Sequence, residues 1–143
     1  MGMTIEHINP DGLFKLDGFS QVVTSSGGKT IYIAGQGAFD KDFKLIGAGD
    51  YYAQTQQAFS NLKIALEAAG ASPADVVSST MYVVGMNQQS VEVFTSAMAK
   101  SLDGQPFPPN ASSMIGVESL AMDGMLVEIS AIAVVSGEFI GSY

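Results

Sequence analysis

The sequence predicts an α/β domain in which a mixed β-sheet carries two helices on one face. Three observations predict it. Hydrophobic residues make up 47% of the 143 residues and charged residues only 14%, which is the composition of a core-forming chain and not of a disordered one. Strand-like runs alternate with two stretches of three-to-four-residue apolar spacing, in the order β-β-(β)-α-β-α-β-β. A chain of this length sustains one core but not two, so residues 1–143 are expected to form a single domain, with a core over about 16–135 and loose terminal segments.

Each element has its own signal. Leu16 to Thr24 reads as a first strand, Ser25-Ser26-Gly27-Gly28 as a turn, and Thr30-Ile31-Tyr32-Ile33-Ala34 as a second strand, together a hairpin. The glycine-rich stretch 35–49 predicts a loop with a short edge strand. Asp50 can cap a helix that Gly70 ends, with Tyr51, Thr55, Phe59, Leu62, Leu66 and Ala69 as its apolar stripe; Gln54, Gln57, Asn61 and Glu67 should face water. Asp75 to Val84 reads as a strand. A second helix from about Asn87 to Leu102 turns Val91, Phe94, Met98 and Leu102 inward, and Gly104 and the prolines at 106, 108 and 109 end it. Two strands close the domain, near Ser112–Glu118 and Met125–Val135.

The last strand says more. One face carries Val127, Ile129, Ala131, Ala133 and Val135, suited to lie under helices. The other carries Leu126, Glu128, Ser130, Ile132 and Val134, still mostly apolar. Two helices cover one face of such a sheet, so the second is expected to meet another subunit, or else a loop folded over it.

Charge and composition exclude several functions. The net charge is −8, and all six basic residues are lysines scattered among fourteen acids. Nucleic-acid binding needs clustered Lys and Arg on the phosphates, so no nucleic-acid partner is expected. The absence of cysteine excludes disulfides and thiolate catalysis. No metal is expected: His7 is the single histidine, and Asp40, Asp42 and Asp50 lack calcium-loop spacing. Gly35-Gln36-Gly37 is not a phosphate-binding fingerprint, so no cofactor is expected either. With no signal segment and no apolar run long enough to span a bilayer, the expectation is a cytoplasmic protein with no membrane partner.

The stretches AQTQQAFSNLKIALEAAGASPADVV and STMYVVGMNQQSVEVFTSAM, with IYIAGQGAFD upstream and GQPFPPNASSMIGVESLAMDGMLVEISAIAVV downstream, resemble the RidA/YjgF family over about residues 16–135. The resemblance implies a chorismate-mutase-like fold and a homotrimer with ligand clefts between subunits. It also implies hydrolysis of 2-imino and enamino acids to 2-keto acids and ammonia, and carries an older ribonuclease label that this composition argues against. In the enzymatic branch an arginine after the Pro-rich turn binds the substrate carboxylate. Here Ser112 stands at that place and Met114 stands where Cys or Thr is usual; no register slip restores the arginine, because the chain contains none. Phe19 replaces a tyrosine and Val91 an asparagine, which leaves a drier cleft. Gly35 matches the turn where backbone approaches ligand, and Glu128 matches the acid that positions the hydrolytic water. On the residues alone, an acid on an apolar strand face needs a hydrogen-bond partner or a proton, and a neighbouring subunit's backbone or serines can supply the former.

Two principal readings compete: an enamine/imine hydrolase of altered specificity that is inactive on 2-imino acids, and a non-catalytic trimer binding a small, neutral metabolite. An endoribonuclease is the third reading, opposed by the charge.

Overall fold

In the computed structural model, which describes residues 2–137, the elements run β1 (Thr4–Ile8), β2 (Val22–Ser26), β3 (Lys29–Gln36), α1 (Tyr51–Ala68), β4 (Val76–Val84), α2 (Gln88–Met98), β5 (Ala111–Val117) and β6 (Val127–Val135), with a 3-10 turn at Pro73–Asp75. The main sheet has the order β3-β6-β4-β5. Strand β6 is antiparallel to both β3 and β4, while β4 and β5 are parallel, so the sheet is mixed as the element order predicts.

The N-terminus departs from the sequence reading. The segment read as loose contains β1, and the hairpin expected between Leu16–Thr24 and Thr30–Ala34 does not form. Instead β2 starts at Val22 and pairs with β1, as a two-stranded sheet separate from the main one. Gly27 and Gly28 both have positive φ, at 69° and 79°, a turn that costs little only for glycine. A side chain at Gly28 would lie 3.1 Å from both Met3 and Val134, so the N-terminal sheet sits against the end of β6. Val134 is thereby buried within the chain (3% exposed). The loose C-terminal segment of the sequence reading lies, from residue 138 on, outside the described residues.

The two helices and the inner sheet face share one core. Phe59, Leu62 and Leu66 of α1 and Phe94 of α2 meet Met81 and Val83 of β4 and Val127, Ile129, Ala131 and Ala133 of β6. Phe59 lies edge-on to Phe94 at 5.9 Å and tilted against Phe107 at 5.0 Å. Asp50 caps α1 by accepting from the Ala53 amide, and Gly70 follows the helix at φ 81°, both as read. Asn87 caps α2, which ends at Met98, before the expected Leu102. In the loop between β3 and α1 the expected edge strand reduces to one bridge, Phe39 with Leu45.

Gln54 corrects the sequence reading. Expected on the wet side of α1, it is fully buried (0% exposed). Its amide donates to the carbonyls of Gly47 (3.2 Å) and Gly124 (2.9 Å), while its Oε1 accepts from the Leu126 amide (2.9 Å). One side chain thus ties two loops to the start of β6, and a buried polar group is tolerable when it is so fully paired. Asn61 acts similarly, donating to the carbonyls of Gly37 and Phe39, both at 2.9 Å. No helix of the described residues is long and apolar enough to cross a membrane.

Candidate functional site

A β-bulge shapes the first half of the site. The β3–β6 register runs from Ile33 opposite Ala131 to Gln36 opposite Ile129, so β3 carries one extra residue around Ala34-Gly35. Gly35 lies directly over the Glu128 side chain: a Cβ there would stand 2.6 Å from the carboxyl carbon and 3.1 Å from Cγ. The glycine is needed for closeness, not for an unusual φ. Glu128 is half-buried, and its carboxylate has no hydrogen-bond partner among the described residues. Across β6 its register partner is Tyr82 of β4, whose partner on β5 is Ile115. Register partners share a sheet face, so Gly35, Glu128, Tyr82 and Ile115 form a row on the face that carries no helix.

This geometry makes a direct prediction. Gly35→Ala should leave stability within about 1 kcal/mol of wild type, because the clash falls on a flexible side chain and alanine restricts the unfolded chain. It should nevertheless displace the Glu128 carboxylate. Calorimetry with a crystal structure of the variant checks both; an unmoved carboxylate would refute the contact.

The second half lies elsewhere. Ser112 pairs in register with Ser79, and Met114 with Met81. Ser79 is buried and donates to Asn110 Oδ1 at 2.6 Å, while Met81 is in the core against which Met114 packs. Ser112 and Met114 therefore share a face, as their spacing predicts, but it is the helix-bearing face at the sheet edge, two strands from Glu128 and on its opposite side. Phe19 lies near the start of β5: it stacks on Phe14 at 5.8 Å, and the next residue, Ser20, donates its amide to the Asn110 carbonyl, two residues before Ser112. A cleft of about 370 Å³ runs there between Phe19, His7 and Pro108-Pro109. A second, more apolar cleft of about 470 Å³ lies beside it under Met98, Phe107 and Thr95. Half-buried Val91 lies one turn before Thr95, whose hydroxyl donates to its carbonyl, and so falls on the same face of α2.

Within one chain, then, Gly35 and Glu128 come together, Ser112 and Met114 share the opposite face on β5, Phe19 lies near the start of that strand, and the Gly35–Glu128 pair remains apart from them. Tyr82 escaped the sequence reading. The signal was present in the alternation of Thr80, Tyr82 and Val84 along β4, but its neighbour Glu128 is defined only by the sheet register. His7 is hydrogen-bonded to Ser20 Oγ at 2.7 Å. Among the described residues no cluster of His, Asp or Glu could hold a metal ion.

Residues 13–135 match the family model described as Endoribonuclease L-PSP. A RutC family protein of Pyrococcus horikoshii is 36% identical over 117 residues, 80% of this chain and 85% of that protein. A 2-iminobutanoate/2-iminopropanoate deaminase of Dermatophagoides farinae is 32% identical over 108 residues, 76% of this chain and 80% of that protein. Among solved structures, the Rid-family protein YyfB of Yersinia pestis, of unknown function, superposes with a TM-score of 0.83 at 38% identity, covering 92% of this chain and 98% of that one. RidA of an Antarctic Psychrobacter gives 0.63 at 30% identity, covering 91% and 99%.

Proposed function

The chain belongs to the RidA/YjgF family, the Endoribonuclease L-PSP family of the model it matches, and on that premise we propose that it hydrolyses enamines or imines that carry no carboxylate, in clefts shared between copies of the chain. The observation that carries the reading is the Glu128 carboxylate, half-buried under Gly35 and without a hydrogen-bond partner among the described residues. A carboxylate so placed can take a proton from water as the water oxygen bonds to the imine carbon. The carbon attacked is that of a protonated imine, which an enamine becomes by taking a proton at carbon. Return of the proton from Glu128 to the carbinolamine nitrogen then lets the C–N bond break as the hydroxyl proton passes back to the carboxylate, giving ammonia and a carbonyl compound. The separation of Ser112 and Met114 from Glu128 supports a cleft completed by a neighbouring copy, in which the start of β5 of one chain faces the open sheet of the next. The homotrimer with clefts between subunits that the family resemblance implies is compatible with such a completion.

The binding-only reading has one observation in its favour: no arginine is present to anchor an anionic substrate. The ribonuclease reading has none, since a net charge of −8 with scattered lysines supplies no track for phosphates. The test uses a stable neutral enamine, 3-aminocrotonamide, followed by loss of its conjugated absorbance and by ammonia release. Wild type should accelerate hydrolysis, and Glu128→Gln should lower kcat by about 100-fold or more, the typical contribution of a positioned general base. Binding without turnover, unchanged in Glu128→Gln, would favour the binding-only reading.

A further inference from the structure

The fold pairs the polar side chains that it buries. No buried side-chain nitrogen or oxygen among the described residues lacks a hydrogen bond. The face of the sheet without helices is different. Beside the Glu128–Tyr82 row runs a second one: Ser130 of β6 pairs in register with Thr80 of β4, and Thr80 with Ser113 of β5. None of Glu128, Tyr82, Ser130, Thr80 and Ser113 has a side-chain hydrogen bond among the described residues, although four of the five are half-buried. These polar groups form one patch, bordered by Ile115, which is 42% exposed. Where a second copy closes over this face, each group needs a partner that the described residues do not supply, because a donor or acceptor buried unpaired is costly.

We infer that Tyr82 is the second ligand-recognising group of the Glu128 site, and that the ligand it selects is a neutral molecule presenting an N–H donor beside a carbonyl acceptor. The inference rests on the functional reading above and deepens it. An ionised Glu128 only accepts hydrogen bonds, so the ligand atom next to it must be a donor. Tyr82 is the register partner of Glu128 on the adjacent strand, their Cβ atoms about 5 Å apart, and its phenol can donate, so the neighbouring ligand atom is an acceptor. A carboxylate in that second place would meet the like charge of Glu128 in a chain without arginine, whereas an amide carbonyl would not. The hydroxyls of Thr80, Ser130 and Ser113 extend the same surface for further neutral polar groups.

The experiment compares 3-aminocrotonamide with 3-aminocrotononitrile, in which a linear nitrile replaces the carboxamide, on wild type, Tyr82→Phe and Glu128→Gln. Tyr82→Phe keeps the ring and removes only the hydroxyl. It should lower kcat/KM for the amide about tenfold, the worth of one hydrogen bond, and lower it less for the nitrile, whose linear nitrogen does not occupy the place of the amide oxygen. Glu128→Gln should impair both substrates. If Tyr82→Phe handles the amide as wild type does while Glu128→Gln is impaired, the Tyr82 assignment is wrong and the hydrolase reading stands. If wild type turns over neither compound, calorimetric titration of the amide decides. Binding weakened about tenfold in Tyr82→Phe supports the assignment although the hydrolase reading fails, and absence of binding overturns both.

Discussion

Hydrolysis of 2-iminopropionate should be slower with this protein than with an arginine-containing relative, by roughly 30-fold to several thousand-fold in kcat/KM. An arginine–carboxylate pair is bidentate and charge-assisted, while the Ser112 hydroxyl that stands in its place supplies at most one neutral hydrogen bond. Phe19 and Val91 withdraw two further polar contacts by family resemblance, and Glu128 would repel an unanchored carboxylate, so the loss belongs toward the large end. Its register partner Ser79 is already engaged with Asn110, and Met114 packs on the core. The assay generates the imine in situ with an amino-acid oxidase and follows keto-acid release with and without the protein. Acceleration equal to that of the arginine-containing relative would refute the reading and require a carboxylate anchor elsewhere in the cleft.

Ile132→Asp should convert the assembly into folded monomers. Ile132 lies in the middle of the open face, paired with Tyr32 on one side and Ser78 on the other, and Tyr32 is 76% exposed in the single chain. An aspartate there is solvated in the monomer but unpaired and buried once a second copy covers the face. Such a charge typically costs several kcal/mol, enough to weaken association by about a thousandfold. Val134 makes the internal control. The sequence places it on the same face, yet it is buried against the N-terminal sheet, so Val134→Asp should destabilise the chain itself. Sedimentation velocity at micromolar concentration, with circular dichroism to confirm folding, separates the two. A wild-type monomer under those conditions would remove both the assembly and the shared cleft.

The helices and the inner sheet face were legible in the sequence because their signals are local. A capping aspartate, a glycine in the left-handed region and a stripe of large apolar residues each act within a few positions. The hairpin at the N-terminus was misread for the same reason. Its turn chemistry at Gly27-Gly28 is local and correct, but which strand β2 pairs with depends on residues 4–8, which carry little periodicity. Gln54 was misread because its burial depends on carbonyls at Gly47 and Gly124 and on the Leu126 amide, two of them some seventy residues away.

By itself the sequence determined the mixed α/β class, the absence of any arginine, a net charge of −8 and the candidacy of Glu128. These follow from composition, alternation and residue identity, which need no third dimension. Only the tertiary structure decided that Gly35 is there to admit the Glu128 side chain, that Tyr82 stands beside it, and that Ser112 and Met114 point to the opposite side of the sheet. Side-chain direction in a strand is fixed by register, and a bulge of one residue or a pairing with a distant strand changes which groups meet. The two halves of the candidate cleft are therefore visible in one chain but lie on opposite faces of its sheet, and the proposed second copy is what would bring them together.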